Sequence, residues 1–67
     1  MITIKVNTKE YQIAEGSSLQ QVLNQLQIKL AGVAIAVNES VVPKSNWETT
    51  ILQNHDAILI ITATQGG

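Results

Sequence analysis

Residues 57–64 read AILIITAT, an apolar and β-branched run with no polar face at either parity. A strand alternates its side chains between two faces, so a run apolar on both belongs in the middle of a sheet, flanked by other strands. The chain has 67 residues with which to build that sheet. This is one domain's worth, burying about 60% of its unfolded surface and leaving a net stability of about 3 to 10 kcal/mol. So small a domain has room for one core and little for a deep pocket lined by a catalytic shell, which argues against an independent enzyme.

The other strands announce themselves by period. Ile2, Ile4 and Val6 alternate with Thr3 and Lys5, as in a strand with one buried face. Residues 7–10, NTKE, turn the chain, and Tyr11 and Ile13 resume the alternation against Gln12, predicting a β-hairpin with a loop of about three residues. Gly16, Ser17 and Ser18 follow as a stop and a helix start, since either serine can accept a hydrogen bond from a first-turn N–H. Leu19, Val22, Leu23 and Leu26 then fall at i, i+3, i+4 and i+7, a single apolar stripe, while Gln20, Gln21, Asn24, Gln25 and Gln27 face water with no special role. Gly32 closes the linker out of the helix. Val33, Ile35 and Val37 predict a third strand with Ala34 and Ala36 on its other face, and VNESVVP turns into a short fourth strand. Pro43, lacking an N–H, suits a sheet edge or strand end. The order strand, strand, helix, strand, short strand, strand predicts an α+β roll, a mixed four- to five-stranded sheet packed on one main helix, with the last strand parallel to an earlier neighbour.

Charge and cysteine content remove several functions. Lys5, Lys9, Lys29 and Lys44 oppose Glu10, Glu15, Glu39, Glu48 and Asp56 for a net charge of −1, with no run of either sign. Nucleic-acid binding through phosphates needs clustered positive charge, so no such partner is expected. With no cysteine, the chain has no disulfide, no thiolate nucleophile and no Cys-ligated metal. MITIKV lacks a signal-peptide pattern, and no stretch approaches the roughly 20 apolar residues of a membrane span. The expectation is a cytoplasmic protein without a membrane partner.

Among candidate side chains, His55 next to Asp56 invites an acid–base reading, and Ser17 and Ser18 could complete a hydrolase constellation. No nucleophile elbow or glycine-rich oxyanion loop accompanies them, and QNHD before a strand reads as a turn. Trp47 is expected to cover the open end of the core, and Lys29 and Lys44 to be solvated surface. No catalytic residue and no metal site is predicted. If Ile58 and Ile60 face the helix, parity sends Leu59 and Ile61 to the opposite face beside Ala34 and Ala36, an apolar patch suited to binding a partner.

The sequence finishes QGG, Gln65, Gly66 and Gly67. Two terminal glycines arise by chance in about 0.5% of chains. A terminal carboxylate becomes reactive toward nucleophiles only after conversion to a mixed anhydride, so an enzyme must bring it to a nucleotide's α-phosphate through a narrow passage. Glycines permit that close approach, and the tail from Thr64 to Gly67 extends at most about 14 Å. We therefore expect a domain over residues 1–63 and a flexible tail over 64–67, with the tail as a tethered substrate.

A helix held by a sheet, with a Gly-Gly end, resembles the ubiquitin-like proteins of the β-grasp fold. More specifically, VAIAVNESVVPKSNW at 33–47 and DAILIITATQGG at 56–67 are similar to the ThiS family, the sulfur carriers of thiamine biosynthesis. The resemblance spans essentially the whole chain. It implies that a ThiF-type activating enzyme adenylates the carboxylate of Gly67 with ATP and that sulfur from a persulfide donor replaces AMP to give a thiocarboxylate. A thiazole synthase of the ThiG type would then receive the sulfur. The chain itself would bind no cofactor, Gly66 would keep the approach unhindered, and Leu59 and Ile61 would dock on the activating enzyme. Two positions depart from the pattern: Glu39 and His55 stand where many relatives have glycine, leaving the turn types at 38–39 and 54–56 open. The small subunit of molybdopterin synthase, another Gly-Gly carrier, is the nearest alternative, and a β-grasp interaction module with an inert tail is a second.

Overall fold

The computed structural model describes residues 1–28 and 31–62. Its elements are β1 (Ile2–Val6), β2 (Lys9–Ile13), α1 (Leu19–Gln25), β3 (Val33–Val37), β4 (Ser40–Val42), a 3-10 turn (Lys44–Asn46) and β5 (Ala57–Thr62). They form one five-stranded sheet in the order β2-β1-β5-β3-β4. The run apolar at both parities is indeed central. It pairs parallel with β1, Val6 opposite Ile58, and antiparallel with β3, where Ile60 faces Ile35 and Leu59 faces Ala36. This is the mixed sheet on one helix expected of an α+β roll.

The hairpin turn is tighter than the composition of NTKE suggests. Only Asn7 and Thr8 separate β1 from β2, in place of the expected three residues. Asn7 makes the shorter loop possible by taking a left-handed φ of 56°, a region asparagine visits more readily than most residues. Its N–H also donates to the Ile58 carbonyl (2.8 Å), and its Oδ1 accepts from the Ile60 N–H (2.9 Å), tying the turn to β5.

The seven-residue α1 is too short to stand alone, and its ends supply much of the local order. Ser18 is the N-cap: its hydroxyl accepts from the Gln21 N–H (3.1 Å), while Gln21 Oε1 accepts from the Ser18 N–H (2.9 Å). That reciprocal pair satisfies two donors that would otherwise be orphaned, so Gln21, expected to be plain surface, has a structural role. At the other end Gln27 takes a φ of 57°. Its N–H donates to the Asn24 carbonyl and the Ile28 N–H to the Leu23 carbonyl, the Schellman pattern normally closed by glycine.

The core lies between α1 and one face of the sheet. Leu19, Val22 and Leu23 from the helix meet Ile2, Ile4, Val6, Ile13, Ile35 and Ile58 from the strands. Trp47 and Leu52, from the segment between β4 and β5, close the end of this layer. Trp47 is buried as expected, and its Nε1–H donates to the Val42 carbonyl (2.8 Å), giving the one polar atom of the indole a partner. Pro43 follows the edge strand β4 directly. No helix among the described residues is long and apolar enough to cross a membrane.

Candidate functional site

The parity of β5 gives the sheet two unlike faces. Ile58 is buried and Ile60 packs partly against the same core, so the intervening side chains turn away from the helix. Leu59 and Ile61 are 51% and 44% exposed. Both sit over small residues of β3, since Ala36 is opposite Leu59 and Ala34 opposite Ile61. Val41 of β4, 68% exposed, lies opposite Ala36 from the far side. Alanine at these positions keeps the surface low, so that Leu59, Ile61 and Val41 stand as three apolar projections around a shallow floor. Val41 was not singled out from the sequence. Its membership follows from the β3–β4 register, which parity within a single strand does not reveal.

The other half of this face is polar. Lys5 is opposite Ala57 on β5 and Glu10 on β2. Between the halves, Asn7, Asn38, Glu39, Ala57 and Leu59 border a shallow open depression of about 350 Å³. Its rim is set by the turn at 38–39. Asn38 and Glu39 have φ of 51° and 73°, the all-positive combination of a type I′ hairpin, which asparagine followed by glycine meets with least strain. His55 likewise holds a φ of 72°. Glu39 and His55 therefore hold backbone that glycine adopts more freely, and they carry the strain of it.

A network of short polar side chains fixes that backbone. Asn38 Nδ2 donates to Asp56 Oδ1 (2.9 Å), and Asn38 Oδ1 accepts from the Ala57 N–H (3.0 Å). Asp56 Oδ2 accepts from the Gln53 N–H (2.8 Å), Asn54 Oδ1 accepts from the Thr3 N–H (2.8 Å), and the His55 N–H donates to the Thr3 carbonyl (2.6 Å). Asp56 is thus engaged in holding the β3–β4 turn against the entry to β5. The Ser17 hydroxyl donates to the Ala14 carbonyl (2.7 Å), and Ser18 caps α1. The side chains of Ser17, Ser18 and Asp56 are each occupied in turns and caps, and His55 joins the turn through its backbone N–H. Lys44 is exposed; Lys29 lies outside the described residues. Among the described residues no three His, Cys, Asp or Glu side chains are grouped to hold a metal ion.

Gln65, Gly66 and Gly67, with the whole of the expected 64–67 tail, also lie outside the described residues. β5 runs parallel to β1 and ends at Thr62, opposite Val33.

Comparison with known proteins places this arrangement. The chain matches the ThiS family model over residues 4–67. It is 36% identical over 64 residues to the sulfur carrier protein ThiS of Escherichia coli, covering 96% of this chain and 97% of that protein. An uncharacterized protein, ycf40, of Porphyra purpurea is 32% identical over 66 residues, covering 98% and 93% of the two chains. The crystal structure of a thiamine biosynthesis protein, ThiS, from Geobacter metallireducens superposes with a TM-score of 0.85 over 98% of this chain and the whole of the other. At 23% identity that likeness speaks for the β-grasp fold alone. The family model and the Escherichia coli relative carry the assignment further: the chain belongs to the ThiS family.

Proposed function

We propose that this chain is a sulfur carrier of thiamine biosynthesis whose cargo is held on the carboxylate of Gly67. The observation that carries the reading is family membership extending through residue 67, so that the match takes in the glycine pair as well as the folded domain. The chain has no cysteine, and a carrier without a thiol needs another group to which sulfur can be bonded.

The chemistry assigns the carrier the role of cosubstrate. A carboxylate oxygen of Gly67 attacks the α-phosphorus of ATP on a ThiF-type adenylating enzyme, and pyrophosphate leaves. The terminal sulfur of a persulfide donor adds to the resulting acyl carbon and expels AMP, after which a thiol cleaves the sulfur–sulfur bond and leaves a thiocarboxylate on the chain. A ThiG-type thiazole synthase consumes that sulfur. ATP and any metal belong to the enzymes. Gly66 and Gln65 thread the passage, where glycine's small volume and wide φ range are the useful properties. Leu59 and Ile61, joined by Val41, form the apolar surface on which the adenylating enzyme rests, and exposed apolar groups of this kind are the usual anchors of such contacts.

The test is ATP–pyrophosphate exchange with a cognate adenylating enzyme. The full chain supports exchange; a chain lacking Gly67 melts at the same temperature and does not. A truncated chain that still supports exchange would remove Gly67 as the acceptor.

A further inference from the structure

A second surface lies on the opposite side of the molecule from the Leu59–Ile61 patch, and nothing in the sulfur-transfer reading uses it. Strand β2 is at the edge of the sheet. The hydrogen-bonding sense of β1 fixes which of its backbone groups are free. Lys5 and Asn7 donate toward β5, to the carbonyls of Asp56 and Ile58, so the alternate residues Ile2, Ile4 and Val6 bond toward β2. Their partners there are Ile13, Tyr11 and Lys9. The N–H and C=O of Glu10 and Gln12 consequently point outward from the sheet, and an unpaired edge of this kind is a template for an added strand.

Beside that edge, on the helix side of the sheet, is a groove of about 370 Å³ lined by Val6, Lys9, Tyr11, Ile28 and Ile60 among others. Tyr11, Ile28 and Ile60 are only partly buried against the core. Lys9 is the one charged side chain among the described residues lining it. A free edge and an adjoining groove, apolar at Val6, Tyr11, Ile28 and Ile60 and polar at Asn7, Thr8 and Lys9, are two independent features that call for the same occupant.

We propose that β2 binds an extended segment of a partner protein, which adds to the sheet antiparallel to β2. It would place a branched apolar side chain in the groove beside Tyr11 and a carboxylate against Lys9. The chemistry of the segment is read from the strand that β2 already pairs with. β1 sets Ile2, Thr3, Ile4, Lys5 and Val6 against Ile13, Gln12, Tyr11, Glu10 and Lys9. A strand on the free side meets the same side chains, so it repeats the pattern with one change: an acid opposite Lys9, where β1 has valine. A lysine opposite Glu10, as Lys5 is on β1, sets opposite charges side by side on the outer face. This inference is independent of the chemistry at Gly67.

The probe is the blocked peptide Thr-Ile-Thr-Ile-Lys-Asp, titrated into the full-length isotope-labelled chain and followed by amide NMR and hydrogen exchange. The Glu10 and Gln12 amides shift and become protected, while those of Leu59 and Ile61 do not. Lys9→Glu weakens binding by about threefold to fivefold, as expected for one exposed ion pair, and a peptide ending in Lys instead of Asp restores it. Gln12→Pro removes an outward N–H without disturbing the bonds to β1, and it abolishes binding while the melting temperature is unchanged. Absence of binding at millimolar peptide overturns the proposal, as do shifts confined to the Leu59 face. Protection of Glu10 and Gln12 that rises with protein concentration alone also overturns it, since the occupant would then be a second copy of the chain.

Discussion

Ile58 and Leu59 are neighbours on one strand, nearly equal in size and hydrophobicity, and they have opposite circumstances. Ile58 is 2% exposed in the core between sheet and helix; Leu59 is 51% exposed on the far face. Burying a side chain of this kind contributes about 1.5–3 kcal/mol relative to leaving it in water, so on hydrophobic grounds Leu59 contributes far less to folding than its neighbour. Composition alone treats the two residues alike. The difference is that only one side of this sheet is covered by a helix, and the uncovered side carries the exposed apolar residues Val41, Leu59 and Ile61.

The comparison can be broken by substitution, starting with the largest effect. Ile58→Ala should cost about 2–5 kcal/mol through lost burial and the cavity left behind, a large part of the stability of so small a domain, whereas Leu59→Ala should stay near 0.5 kcal/mol. Chemical denaturation of the two variants measures both. Equal losses would mean that Leu59 is covered in the folded chain. The reverse asymmetry is expected in function: replacing Leu59 and Ile61 by lysine should raise the KM for the carrier in the adenylation assay by about tenfold or more, the scale of a lost interfacial anchor, with kcat and melting temperature little changed. A kcat loss at constant KM would move these residues from docking to some other role.

The smallest effects concern the strained turns, where the stabilising change is toward glycine. Glu39→Gly, His55→Gly and Gln27→Gly each relieve a left-handed backbone, and each should raise stability by about 0.5–1 kcal/mol after the entropy that glycine adds to the unfolded chain is subtracted. Thermal melts of the single variants and the triple variant check this, with additivity expected for Gln27→Gly and coupling expected between Glu39→Gly and His55→Gly, whose turns share the Asn38–Asp56 hydrogen bond. Failure of Gln27→Gly to stabilise would show that its side chain offsets the strain at the helix end.

These substitutions also mark where sequence reading succeeded and where it stopped. Alternation at Ile2, Ile4 and Val6, the stripe from Leu19 to Leu26 and the double-sided run of β5 are direct consequences of burial, and burial is what hydrophobic pattern encodes. The Asn38–Glu39 and His55 turns were open because a non-glycine residue gives no sign of positive φ; the hydrogen bonds of Asn38 and Asp56 that hold it come from residues 18 positions apart. Gln21 was legible and missed, since serine followed three residues later by glutamine is itself a helix-start signature. Val41 and the groove beside β2 depend on which strands are neighbours, which periodicity within a segment does not contain. Gly66 and Gly67 are proposed from the opposite direction, by the chemistry a carboxylate requires and by family resemblance, with no contribution from packing.

The central claim concerns one atom exchange at the end of the chain, and intact-protein mass spectrometry reads it most directly. After incubation with a cognate adenylating enzyme, ATP and a persulfide donor, the account predicts a mass gain equal to the difference between sulfur and oxygen, confined on fragmentation to a peptide containing Gly67. An unchanged mass with an enzyme that modifies an established ThiS protein in parallel, or a gain located anywhere else in the chain, would contradict it.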